Sequence, residues 1–110
     1  MTDTIKVLGQ SNPVAVTLTD AYTVPALTST VVSSITIVNR SSVATSFRIS
    51  VAVAGAADDD KQYIYYDLPI SGNDTFIATI GPTLGPADVV RVRATLATLS
   101  FNIFGTEVTP

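Results

Sequence analysis

Between Thr30 and Val53, apolar and small polar residues alternate with the two-residue period of a half-buried strand, first in TVVSSITIVN and again in TSFRISVAV. Val31, Ile35 and Ile37 share one face of the first run. Phe47, Ile49, Val51 and Val53 share one face of the second, with Arg48, Ser50 and Ala52 opposite. The short polar connection Asn39 to Ser42 predicts that the two runs form an antiparallel hairpin at the centre of a β-sandwich; its length and lack of Gly leave the turn type open.

The same alternation recurs on both sides of this pair. Ile5 to Gln10 reads as a first strand, or as an arm that pairs with a neighbouring chain, and Ser11-Asn12-Pro13 ends it. Val14 to Leu18 resumes the pattern, and Tyr22-Thr23-Val24 is a short extended piece closed by Pro25, which places it at an edge or corner. Gln62 to Ile70 is an aromatic-rich strand with Tyr63 and Tyr65 on one face and Ile64 and Tyr66 on the other. After the turn Ser71-Gly72-Asn73-Asp74, Thr75 to Ile80 is again extended, and Gly81 to Pro86 is a Pro- and Gly-rich loop. Asp88 to Thr95 alternates Arg91 and Arg93 against Val90, Val92 and Ala94. Leu99, Phe101 and Ile103 repeat the inward pattern until Gly105, beyond which Glu107 to Pro110 trails off. About eight short strands and no convincing helix predict an all-β, single-domain antiparallel β-sandwich or jelly-roll-like fold over residues 1–110. In it, residues 1–10 are the first strand or an N-terminal arm.

Composition narrows the function more than the fold. Charged residues are 14% of the 110 positions, against roughly 25% in a typical soluble protein, so the polar surface is mostly Thr, Ser and Asn. A mild surface of this kind suits lasting contact with other protein, whose interface cores are depleted in charge. It also suits an ordinary Thr-rich β-domain. A net charge of −3 and no basic tract argue against nucleic acid or an anionic membrane as partner. Mean hydropathy is +0.42, yet every apolar run is interrupted well short of a membrane-spanning length. Without Cys or His the chain lacks thiolate ligands, the commonest metal ligand and the commonest general base. Its amino terminus has no basic start or apolar core of a secretory signal, so synthesis and retention in the cytoplasm are expected.

Three groups of residues carry candidate chemistry. Asp58-Asp59-Asp60 has the oxygen ligands a hard cation needs but not the spacing of a calcium loop, and reads as a solvated hairpin tip. Tyr63, Tyr65 and Tyr66 can build an aromatic platform for a sugar or a partner protein, and cross-strand packing accounts for them as well. Arg91 and Arg93 share a face of one strand, where they can grip carboxylates of a neighbouring subunit or guard the strand against edge-to-edge pairing. Ile5, Lys6 and Val7 complete the residues expected at an interface. The sequon-like Asn39-Arg40-Ser41 and Asn73-Asp74-Thr75 read as turns. No nucleophile elbow, phosphate-cradling Gly loop or paired metal ligands are present, so neither an enzyme nor a cofactor is expected.

The strings KVLGQ at Lys6, AYTVPA at Ala21, SSITIVNRSS at Ser33, FRISVAVAG at Phe47, KQYIYYDLPI at Lys61 and NDTF at Asn73 together resemble small β-structured virion proteins of tailed bacteriophages. The resemblance spans most of the chain and contains no catalytic motif. It implies a capsid decoration (cement) protein, commonly trimeric, that binds the major capsid protein on the outside of the head. A tail or tail-fibre accessory module that recognises the host surface is the alternative. In either case the chain would be made in the host cytoplasm and assembled into the virion.

Overall fold

The computed structural model describes all 110 residues and places nine strands in two stacked antiparallel sheets. The strands are β1 (Thr2–Ser11), β2 (Thr19–Thr23), β3 (Ser29–Asn39), β4 (Thr45–Ala52), β5 (Tyr63–Ile70), β6 (Thr75–Ala78), β7 (Thr83–Leu84), β8 (Val89–Ala94) and β9 (Leu99–Thr109). The first sheet has the order β1-β9-β3-β6, with β7 also paired to β3, and the second has the order β2-β8-β4-β5. The all-β sandwich predicted from the alternation is therefore the fold. Two single-turn 3-10 helices, Val53–Gly55 and Asp60–Gln62, are its only helical pieces. The exposed surface is 5616 Å², close to the roughly 5,800 Å² that area scaling gives for this mass.

The predicted central hairpin does not form. β3 lies in the first sheet between β9 and β6, and β4 lies in the second between β8 and β5, so the connection after Asn39 crosses from one sheet to the other. Each run has one strongly apolar face, and stacking the two face to face buries both. Ile35 and Ile37 of β3 and Phe47 and Ile49 of β4 are all at most 1% exposed. Phe47 is the hub, with ring centroids 6.1 Å from Tyr65, 5.6 Å from Phe76 and 6.1 Å from Phe101.

The other departures are local. In β3 the pairing with β9 slips between Val32 and Ser34, so Thr30 and Val32 turn inward and Val31, predicted to share the face of Ile35, turns out. β4 ends at Ala52, and Val53 leaves the core for solvent in the first 3-10 turn. Val14 to Leu18 is not a strand: it is an irregular turn in which Val16 has φ of +57° and its N–H donates to the Ala94 carbonyl. β9 does not stop at Gly105 but runs on to Thr109, flanked by β1 and β3. Gly105 permits this, because a Cβ there would collide with the Val31 carbonyl oxygen.

Candidate functional site

The candidate interface residues fall on two opposite surfaces, and the strand irregularities decide which residue goes where. On the second sheet, outward positions of β8 and β4 bring three arginines together: Arg48 lies directly across from Arg93, and Arg91 is across from Ser50. Like charges so placed repel, and a carboxylate between them is the usual remedy. β5 supplies it. The edge strand slips against β4 twice, between Tyr63 and Tyr65 and again between Tyr65 and Leu68. The second slip leaves both Tyr66 and Asp67 beside Arg48, with Asp67 at φ of +51°.

These slips overturn the predicted grouping of the tyrosines. Tyr63 and Tyr65 point to opposite faces; Tyr65 turns inward against Phe47 and Phe76. Tyr63 and Tyr66 meet instead on the outer face, edge to face at 5.1 Å. The Arg48 guanidinium lies 4.0 Å from the Tyr66 ring centre, a cation–π contact. Arg48 also donates twice to Asp67, Nε to Oδ1 at 2.6 Å and Nη2 to Oδ2 at 3.1 Å. This fork holds the Asp67 carboxyl below the usual carboxylate range and raises the pKa of Arg48 in return. Tyr63 donates its phenol to Asp58 at 2.9 Å, and burial followed by that bond pushes its pKa up. With Asp60 the two outer tyrosines line a shallow surface depression.

Arg91 and Arg93 share this face as expected but differ in their bonding. Arg91 is held within the chain, donating to Asp20 at 3.0 Å and to the carbonyls of Ala56 and Gly55 at 2.7 and 3.2 Å. Arg93 approaches only Asp67, at 4.0 Å. Asp58 and Asp59 are used locally: Asp58 accepts from Tyr63, and Asp59 accepts the Lys61 N–H and opens the second 3-10 turn. No three carboxylates converge there.

The outer face of the first sheet is different in kind. Ile5, Val7, Phe104, Val31 and Ile77 point outward across β1, β9, β3 and β6, and among the outward positions only Asp3, at the tip of β1, is charged. Residues 2–11, which take in the candidate arm except Met1, form β1 and pair with β9 along most of their length. Lys6 alternates to the other side and donates to Glu107 at 3.1 Å. There Tyr22 donates to the second carboxylate oxygen at 2.6 Å, and Thr30 donates to Tyr22 at 2.8 Å.

Two structural centres were missed in the sequence. Asn39, read only as part of a turn, is buried and makes four side-chain bonds: it donates to the Val43 and Ser71 carbonyls and accepts from the Ser41 N–H and the Thr98 hydroxyl. Asp88 accepts the N–H groups of Ala54 and Gly85, tying two loops together. A polar residue at the end of an apolar alternation was the only signal for either.

Compared with protein-family models, with curated proteins and with solved structures, the chain finds no match.

Proposed function

We propose that this chain is a structural protein of a bacteriophage virion, a capsid decoration protein that acts by protein–protein contact on the outside of the head and bridges major capsid subunits. The observation that carries the reading is the outer face of the first sheet, where Ile5, Val7, Val31, Phe104 and Ile77 lie on a surface charged only at Asp3. A surface of that composition matches the charge-depleted centre of a lasting interface, and the resemblance of the sequence to small virion proteins supplies the partner. Many modest contacts repeated over a shell would make loss of the coat a collective event.

Single lysines on that face test the reading without touching the core, because Val31 is 45% and Ile77 60% exposed. Val31→Lys and Ile77→Lys are each expected to fold normally and to cut co-sedimentation with undecorated heads by on the order of tenfold, the effect of one buried charge in an interface. Full-strength co-sedimentation of both would sink the head-docking reading.

A second reading, a tail or fibre module that contacts the host surface, draws support from the Tyr63–Tyr66 pair beside Arg48 on the other sheet. Tyr66→Ala is the corresponding test. It would reduce adsorption to host cells in that reading and leave it unchanged in the head reading.

A further inference from the structure

We infer that β1 is a pairing edge for a second copy of this chain, docked antiparallel to itself about a twofold axis at Ile5. A strand with one neighbour presents a row of free N–H and C=O groups, and soluble proteins blunt such edges by shortness, bulges, proline or charge. The other edges of this sandwich are blunted in these ways. β6 and β7 have four and two residues, and β2 has five with a slip between Asp20 and Tyr22. β5 is twice bulged and carries Pro69.

β1 has almost no such protection. It is ten residues long, contains no proline, and keeps an unbroken register with β9 from Thr2 to Val7 before its slip at Leu8. Its one cation, Lys6, is already bound to Glu107 of the same chain. The outward side chain at its middle, Ile5, is 86% exposed, which is costly for a large aliphatic residue left in water.

A second copy of the chain fits this edge in a register that opposes no like charges. A twofold axis perpendicular to the sheet sets odd residues of one copy against odd residues of the other, so that the axis passes through a residue position. Centring on Asp3 or on Lys6 would set like charges directly opposite each other, which is destabilising. Centring on Val7 runs into the slip at Leu8, and centring on Thr4 sets Asp3 against Ile5, the most exposed aliphatic side chain of the strand at 86%, and leaves the two Ile5 side chains apart. Centring on Ile5 stacks the two isoleucines, sets Thr4 against Lys6 and Asp3 against Val7, and brings no like charges together. It also joins the two weakly charged outer faces into one continuous surface. An interface of this kind closes as a pair, where the resemblance to phage decoration proteins implied a trimer.

The test uses the purified chain alone, so its outcome is independent of head binding. Sedimentation equilibrium is expected to give twice the 11.5 kDa of one chain, and Ile5→Lys is expected to return the mass to one. The chain has no cysteine, so Ile5→Cys introduces a single thiol. Across the proposed axis the paired Cα atoms would lie about 4.5–5.5 Å apart, within disulfide range. Mild oxidation should therefore cross-link Ile5→Cys at least about tenfold faster than Ile77→Cys, placed on the opposite edge of the same sheet. A dimer in which the two thiols cross-link equally would place the contact elsewhere and overturn the proposal. A single-chain mass at every concentration would overturn it too, leaving the edge to a strand of another protein.

Discussion

Asn39 is a single side chain on which three loops depend. Its amide bonds all four of its hydrogen-bonding positions to segments that follow β3, precede β6 and precede β9. Removing it leaves several buried groups unpaired, so Asn39→Ala is expected to lower unfolding stability by about 2–4 kcal/mol in urea titration. Tyr22 and Glu107 form a second such centre. Burial and then the bond to Glu107 push the Tyr22 phenol up to about 12 from 10.0, while the same bond holds Glu107 below its ordinary 4.5. The signs are opposite. The Tyr22 contribution is complete below pH 10 and is lost as the pH rises through about 12. That of Glu107 is complete above pH 4.5 and is lost as the pH falls through its depressed value. Tyr22→Phe should weaken the alkaline limb of the stability profile, leaving the part that Tyr63 supplies, and flatten the acid limb. Ser50 supplies a contrary case: its hydroxyl is buried with no hydrogen-bond partner, so Ser50→Ala is expected to be neutral or to stabilise by about 1 kcal/mol.

Strand faces were legible from the sequence wherever the pleat is regular. Phe47 and Ile49, then Val90, Val92 and Ala94, then Leu99, Phe101 and Ile103 turn inward as their alternation requires. Parity failed at bulges, because one extra residue inverts every position after it. Val31 changed faces at the slip in β3, and Tyr63 and Tyr65 were separated by the slips in β5. No glycine marks these slips: they fall at Ser33, Ile64 and the Tyr66-Asp67 pair. The Arg48–Asp67–Tyr66 group was invisible for that reason. The close approach of β1 to β2 is another element-scale demand. At Gly9 a Cβ would collide with the Ala21 carbonyl oxygen, and because backbone has no rotamer to yield, Gly9→Ala is expected to cost about 1–3 kcal/mol in thermal or urea unfolding.

At the scale of the molecule, alternation revealed the class of fold but not the pairing of strands. β3 and β4 are neighbours in sequence and carry the strongest patterns, yet they face each other across the core while their ladder partners come from β9 and β8. Periodicity tells which face of a strand is apolar and is silent on its neighbour. Pairing of the first strand with the last also means that much of the sheet closes late. Refolding is therefore expected in the range of milliseconds to seconds, slower than for a helical protein of this size. The completed sandwich presents two unlike surfaces. One has its charges largely matched within the chain around Arg48, Asp67, Arg91 and Asp20, and the other mixes exposed aliphatic residues with Ser, Thr and Asn and has Asp3 as its one charge. The second is the face proposed to meet the capsid. Immunogold labelling of intact virions with antibody to this chain tests that claim most directly. Gold distributed over the head is the predicted result, and gold confined to the tail, or its absence from particles that also lack the chain by immunoblot, would contradict it.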